Sequence, residues 1–132
     1  MRLSLVRKED LTPQQMDEIQ ERLQRSIQVD GECGPIKAWF AYKQFLYAFI
    51  LLDGNSPIAI AEASGRPVSA PGWWIDPDYR GQGYGNELVD LLAQYLRADG
   101  VTKIGRIPIQ TPNGKYDEQS SRLVMRLRSH FP

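Results

Sequence analysis

The stretch Asp76-Pro-Asp-Tyr-Arg-Gly-Gln-Gly-Tyr-Gly85 places three alternate glycines and an arginine between two apolar segments. The segment before it, Trp-Trp-Ile at 73–75, favours a strand that Pro77 ends, because proline has no N–H for a sheet ladder. The segment after it, residues 88–96, repeats apolar residues with the period of a helix. The glycines therefore stand where a helix begins, and there unpaired backbone N–H groups and the helix dipole favour an anion.

The spacing of the glycines distinguishes this loop from other phosphate-binding motifs. Gly81, Gly83 and Gly85 allow the backbone to approach a pyrophosphate closely, and Arg80 adds a rigid fork of N–H donors. Strict alternation differs from the dinucleotide fingerprint, and the Gly-Lys-Ser/Thr of a Walker loop is absent. The glycines alone leave a plain surface turn open as an alternative. Their position between a strand and a helix favours a phosphate site.

This loop resembles the acetyl-coenzyme A signature of the GNAT superfamily of N-acetyltransferases, Arg/Gln-x-x-Gly-x-Gly/Ala, which Arg80, Gly83 and Gly85 match. The resemblance covers about residues 71–111, including Gly-Val-Thr-Lys-Ile at 100–104, and is weak at both ends. It implies an α+β, three-layer fold of the GNAT-like acyl-CoA N-acyltransferase type. Such a fold has a mixed, mostly antiparallel sheet flanked by helices, here shortened at the C-terminus.

Local patterns along the chain predict the same order of elements. Leu3 and Leu5 suggest a first strand, and Thr-Pro-Gln-Gln at 12–15 has the form of a capping box that opens a helix. The predictions that follow are a loop with one short helix at 29–44, a hairpin of 45–52 with 57–63, a helix at about 85–98 that Gly100 closes, a strand at 103–110 and a helix at 118–128.

Composition bounds the class of protein. The 132 residues, of which 42% are hydrophobic, suit a single domain over 1–132, and a formal net charge of zero recruits neither nucleic acid nor membrane. One cysteine excludes an internal disulfide, no Cys/His cluster suggests a metal, and the N-terminus does not resemble a signal peptide. The most apolar run, 45–52, is too short to span a bilayer, so we expect a cytoplasmic protein.

The resemblance implies transfer of an acetyl group from acetyl-CoA to an amine by direct attack in a ternary complex, without a metal. A backbone N–H group among Trp73, Trp74 and Ile75 would polarise the thioester carbonyl. The residues that would bind the coenzyme are Trp74, Ile75, Asp76, Arg80, Gly81, Gln82, Gly83, Tyr84, Gly85 and Asn113.

Proton transfer needs an acid for the leaving thiolate, and the family commonly uses a tyrosine of the last helix. Counting back from Phe131 reaches Arg126 at that position, whereas counting forward from Lys103 reaches Asn113 with Tyr116 close behind. Tyr116 is therefore the predicted acid, and a tyrosine packed on a surface loop is the alternative.

A base must also take a proton from the attacking ammonium. Glu62 interrupts the apolar run 58–63 and is the predicted base, unless it belongs to the polar face of a half-exposed strand. The one histidine, His130, lies near the chain end and is expected to be exposed.

The expected acceptor is a small-molecule or peptide amine. Trp39, Phe40 and Tyr42 fall where the family lines its acceptor pocket and would favour an apolar or cationic amine, or they simply cover the sheet. A homodimer could complete the C-terminal side. Two other functions stay open. One is a non-catalytic module that binds acyl-CoA; the other, disfavoured by the zero net charge, is a nucleic-acid or protein-interaction domain that binds a polyanion through Arg122, Arg126 and Arg128 of the last helix.

Overall fold

The computed structural model describes residues 3–30, 47–64, 69–104 and 118–131. Within them, four strands form one antiparallel sheet in the order β1-β2-β3-β4, and three helices flank it. The strands are β1 (Leu3–Arg7), β2 (Tyr47–Asp53), β3 (Ser56–Ser64) and β4 (Ser69–Ile75). The helices are α1 (Pro13–Asp30), α2 (Tyr84–Ala98) and α3 (Glu118–Ser129), with 3-10 turns at Lys8–Asp10 and Pro77–Tyr79.

The sheet separates two apolar clusters. The larger one packs α2 and α3 against one face and includes Phe49, Leu51, Leu92 and Leu127. The smaller one packs α1 against the other face and includes Ile19, Leu23, Ile60 and Trp74. Neighbouring residues of β4 alternate between the two, as the period of a strand requires. This arrangement confirms the predicted α+β, three-layer architecture.

Two local predictions, the capping box at Thr12 and the hairpin that follows, are confirmed. The N–H of Gln15 donates to Thr12 Oγ1 over 3.1 Å, and the N–H of Thr12 donates to Gln15 Oε1 over 3.0 Å, which is a capping box. The hairpin joins β2 to β3 through Gly54 and Asn55, and its register shifts between Leu51 and Leu52.

Glycine ends α2 as predicted. The N–H of Gly100 donates to the carbonyl of Arg97 over 3.1 Å, and the N–H of Val101 donates to that of Leu96 over 2.9 Å. These two bonds are the Schellman pattern, and Val101 packs on the larger cluster. The predicted final helix is confirmed as α3.

Several predictions lie outside the described residues. Most of 29–44 is among them, and the predicted strand at 103–110 is described only as far as Ile104, which forms a single bridge. No helix in the described ranges is both long and apolar enough to cross a membrane.

Candidate functional site

The polypeptide turns sharply after β4, and Asp76 holds that turn. Its N–H donates to the carbonyl of Ile58 over 2.9 Å, and its Oδ1 accepts from the N–H of Asp78 over 2.9 Å. The side chain therefore caps the 3-10 turn that Pro77 begins. Arg80 then folds back, and its Nε donates to the carbonyl of Ile75 over 2.8 Å. The loop that the sequence predicts is thus anchored to the sheet by Asp76 and to the end of β4 by Arg80.

The glycines of the loop have two different environments. Gly83 is the N-cap of α2 at φ +89°, Gly81 has φ +73°, and a Cβ built on either would meet no atom within 4 Å. Gly85 is helical, and its Cβ would lie 3.3 Å from Leu123 Cδ2 and 3.4 Å from Ile75 Cδ1. Gly81 and Gly83 leave open space before the first N–H groups of α2, whereas Gly85 makes room for α3.

A cavity of about 250 Å³ lies against this loop. Its lining contains both predicted and unpredicted residues: Ile75, Tyr79, Arg80, Gly81, Gly83, Tyr84, Gly85, Asn86, Arg122 and Leu123. The rings of Tyr79 and Tyr84 meet edge to face, with centroids 5.4 Å apart. Backbone N–H groups of a helix start, two arginines and two tyrosines thus surround one opening. This arrangement suits an anionic group with an uncharged extension.

Three other predicted coenzyme residues lie beside the cavity rather than on its wall. Trp74 is buried in the smaller cluster, on the α1 side of the sheet. Asp76 is buried beneath the loop, and Gln82 is exposed with its Nε2 donating to the carbonyl of Asp78 over 3.0 Å. Asp76 and Gln82 therefore shape the loop in this structure.

Arg22 of α1 is a contributor to the site that the sequence did not reveal. Its Nη1 lies 2.9 Å from Asp76 Oδ2, and the two side chains are only 14% and 6% exposed. Its Nε pairs with Glu18 over 3.1 Å, and its guanidinium lies 5.5 Å from the centre of the Tyr79 ring. A charge buried in this way is stable only when it is paired. Arg22 therefore fixes the loop to the helix on the opposite face of the sheet.

The backbone of β4 directs one N–H toward its outer edge. Asp76 bonds to Ile58, and Trp74 stands opposite Ile60 in the same register. Hydrogen-bonded pairs alternate with non-bonded pairs along antiparallel strands. The N–H of Ile75, between these two pairs, consequently points away from β3 and toward the side of the strand where its own carbonyl meets Arg80.

A second charged cluster joins α2 to α3. Arg126 binds Asp90 through two bonds, Nε to Oδ1 over 2.9 Å and Nη2 to Oδ2 over 2.8 Å. His130 Nε2 lies 2.9 Å from Asp90 Oδ1, so that nitrogen must carry a hydrogen, since a carboxylate only accepts. The bonds from Arg126 lower the pKa of Asp90; burial opposes this shift, and the bond from His130 adds to it.

The expectation that His130 is exposed was wrong. Its side chain is 28% exposed and is held by Asp90, because the turn after α3 brings it back onto α2. Arg126, which the count back from Phe131 puts at the position of the family tyrosine, is also bound to Asp90 and is not among the residues that line the cavity.

The predicted acid and base remain predictions. Glu62 lies in β3 with its backbone opposite Ala48 and Gly72. Tyr116 and Asn113 lie outside the described residues, as do Trp39, Phe40 and Tyr42. In the described ranges no three His, Cys, Asp or Glu side chains are grouped so that they could hold a metal ion.

Solved structures show the same fold at low sequence identity. The ribosomal-protein-S18-alanine N-acetyltransferase from Escherichia coli is 19% identical with a TM-score of 0.61, over 95% of this chain and 76% of that one. AAC(6')-Iy, solved with the bisubstrate analogue CoA-S-monomethyl-acetylneamine, is 14% identical with a TM-score of 0.61, over 96% and 90%. A GNAT family acetyltransferase from Brucella melitensis, solved with acetyl-CoA, is 15% identical with a TM-score of 0.54, over 77% and 73%.

Sequence comparison identifies the family. No curated protein matches the chain. The profile of the acetyltransferase (GNAT) family matches residues 13–115, a span that includes α1, the whole described sheet after β1, the glycine loop and α2. The loop at the start of α2 and the three-layer fold therefore have a common explanation: this chain belongs to the GNAT acetyltransferase family.

Proposed function

We propose that this protein is an acetyl-CoA-dependent N-acetyltransferase that joins its two substrates in a ternary complex and transfers the acetyl group directly to an amine. Family membership supports acyl transfer. Two structures of the same fold contain acetyl-CoA or a CoA-linked bisubstrate analogue. The chemistry of the loop in this chain is consistent with the same coenzyme.

The observation that carries the proposal is the cavity at the start of α2. At about 250 Å³ it is smaller than complete ligand pockets, which occupy roughly 300–1,000 Å³, so its size suits one part of a ligand. The open space beside Gly81 and Gly83 exposes the first N–H groups of α2. The diphosphate of coenzyme A is an anion of fitting size and charge for this position.

Ile75 is the proposed donor to the reacting carbonyl. Acetyl-CoA supplies a thioester, which an amine can attack without help from a side-chain nucleophile. The N–H of Ile75 faces the outer edge of β4, and Arg80 holds the carbonyl of the same residue. A fixed N–H at that position would stabilise negative charge on the thioester oxygen as the amine attacks.

Proton transfer is assigned to Glu62 as the base and Tyr116 as the acid. Glu62→Gln and Tyr116→Phe should each lower kcat by about 10²–10⁴-fold with little change in the affinity for acetyl-CoA. Loss of the acidic limb of the pH–rate profile in Glu62→Gln would identify the base. Full turnover by Tyr116→Phe would remove Tyr116 from the mechanism.

The proposed acceptor is a small-molecule or peptide amine. One structural neighbour is a ribosomal-protein-alanine acetyltransferase, and another was solved with an aminoglycoside-like bisubstrate analogue, so this fold accommodates both classes. An aromatic acceptor wall formed by Trp39, Phe40 and Tyr42 would favour apolar or cationic amines.

A second candidate is a module that binds acyl-CoA without turning it over. The observation that favours it is Arg126, which the count back from Phe131 puts in place of the family tyrosine and which is bound to Asp90. The two candidates differ in one experiment: calorimetric titration of acetyl-CoA, followed in the same sample by thiol release across a panel of amines and peptides. Binding with amine-dependent thiol release supports the enzyme, and binding without release by any acceptor favours the module. Absence of binding overturns both.

A further inference from the structure

The helices α2 and α3 run in the same direction and pair residue by residue at their surface. Asn86 and Arg122 line the cavity together, and one turn further along each helix Asp90 binds Arg126. The spacing of four residues on both helices brings these pairs into register. In this row Arg126 binds a carboxylate, whereas the residue of α2 that lines the cavity together with Arg122 is the neutral Asn86.

Arg122 is the arginine of this row that lines the cavity. It is exposed, and it takes part in none of the ion pairs formed between the side chains that the structure describes. Arg80 lines the same cavity and is anchored to the carbonyl of Ile75. The opening between the glycine loop and α3 is thus lined by two arginines that belong to different elements of the fold.

We propose that Arg122 is a second cationic contact for the coenzyme, and that it makes this site select a diphosphate over a single phosphate on the pantetheine arm. The proposal rests on the proposed function, since it concerns the same coenzyme. Two linked phosphates can occupy both walls at once, one at the N–H groups of α2 and Arg80, the other at Arg122. A single phosphate can satisfy only one wall.

The chemistry of arginine explains why this contact discriminates. Guanidinium groups bind phosphate through two parallel N–H···O bonds, which are charge-assisted and about twice as strong as neutral ones. Loss of such a contact should weaken binding about tenfold or more. The effect requires a second phosphate within reach, so it should appear with coenzyme A and be small with 4′-phosphopantetheine.

The test compares Arg122→Gln with Arg126→Gln in the full-length protein. Both substitutions remove one positive charge from an exposed arginine of α3, but only Arg122 lines the cavity. Calorimetry would measure the affinities of coenzyme A, 3′-dephospho-coenzyme A and 4′-phosphopantetheine for each variant, and thermal melting would confirm that each is folded. We expect Arg122→Gln to weaken both coenzyme A and the 3′-dephospho form about tenfold or more, and 4′-phosphopantetheine by less than about threefold.

Other results would overturn the inference while leaving the proposed function intact. Equal losses in Arg122→Gln and Arg126→Gln would show a general effect of charge on α3. Loss with coenzyme A but not with its 3′-dephospho form would show that Arg122 binds the 3′-phosphate instead. An unchanged affinity in Arg122→Gln would remove its role altogether. Failure of the wild-type protein to bind coenzyme A would instead overturn both this inference and the proposed function.

Discussion

Each flank of the glycine loop is tied to a helix by an arginine–aspartate pair, and the two pairs differ in burial. On the α1 flank, Arg22 and Asp76 are 14% and 6% exposed. On the α3 side, Arg126 and Asp90 are 44% and 29% exposed, although their geometry is the better of the two, with two parallel bonds. The same residue types thus serve a buried anchor and a surface contact.

Burial rather than bond geometry should decide which pair matters for the fold. A surface pair loses little when it is broken, because water solvates both partners. A buried pair adds little net stability relative to apolar residues, but breaking it leaves a desolvated charge behind. The two flanks therefore differ in the desolvation of the charge that remains when one partner is removed.

The largest expected effect is that of Arg22→Met. The substitution keeps an unbranched stem without the guanidinium and leaves the Asp76 carboxylate buried without its ion-pair partner, so the free energy of unfolding should fall by about 3–5 kcal/mol. Urea denaturation would measure it. Arg126→Met is the matched control and should lose only a small fraction of that amount; equal losses would show that burial does not distinguish the two pairs.

A double variant separates charge from capping on the α1 flank. Asp76→Asn retains an oxygen that can accept from the N–H of Asp78 while it removes the charge. Arg22→Met with Asp76→Asn should therefore be more stable than Arg22→Met alone. A double variant that is less stable would mean that Arg22 acts mainly through Glu18 or Tyr79.

The apolar contact of the α3 flank is tested by Gly85→Val. The new Cβ would lie 3.3 Å from Leu123 Cδ2, so the Leu123 side chain must move by a few tenths of an ångström, and we expect a loss of about 1–3 kcal/mol in urea denaturation. Combining Gly85→Val with Leu123→Ala should cost less than the sum of the two single changes. Simple additivity would contradict the contact.

At Gly83, between the flanks, the effect of a substitution on stability should depend on backbone conformation alone. Its φ of +89° strains any residue with a Cβ, but no atom lies within 4 Å of that position. Gly83→Ala should cost about 1–2 kcal/mol of stability, and Gly83→Asn should cost less, since asparagine tolerates the left-handed region. Equal costs for the two residues would point to a steric cause instead.

The smallest effect concerns the pH dependence of the exposed pair. Because hydrogen bonds from Arg126 lower the pKa of Asp90 in the folded state, its carboxylate stabilises the fold above its unfolded pKa of about 3.9, and that stabilisation is lost as the pH falls through the lower folded value. In a His130→Gln background, the difference in Tm between Asp90 and Asp90→Asn should be constant from about pH 7 to 5 and shrink below about pH 4. A difference that grows in acid would contradict this assignment.

Sequence patterns predicted the parts of this molecule that depend on near neighbours. The capping box at Thr12, the hairpin around Gly54 and the end of α2 at Gly100 each involve residues a few positions apart. The ion pairs do not: Arg22 and Asp76 are 54 positions apart, and Arg126 and Asp90 are 36 apart. Arg22 is surrounded in the sequence by other charged residues of α1, among them Glu18, Glu21 and Arg25, so no local pattern marks its side chain as buried.

In the glycine loop too, the sequence pattern could not show contacts with residues that are distant along the chain. Alternating glycines predicted an anion site, but the pattern could not show that Gly85 differs from Gly83, since that difference comes from Leu123 on another helix. Nor could the sequence place His130, whose partner Asp90 lies 40 positions earlier. The sequence suggested Arg122 only as one of three arginines on a helix that could bind a polyanion. Its place at the cavity depends on α2 lying beside α3, which the sequence pattern does not show.

Three different groups of atoms in Ile75 each have a separate role in the site. Its N–H faces the outer edge of β4, its carbonyl accepts from Arg80, and its Cδ1 lies close to the point where α2 meets α3. In nuclear magnetic resonance spectra, the amide and the δ1 methyl of this one residue would give separate signals. A ligand at the strand edge should shift the amide signal and a change in helix docking should shift the methyl signal, so one isotope-labelled isoleucine could time the two events against each other.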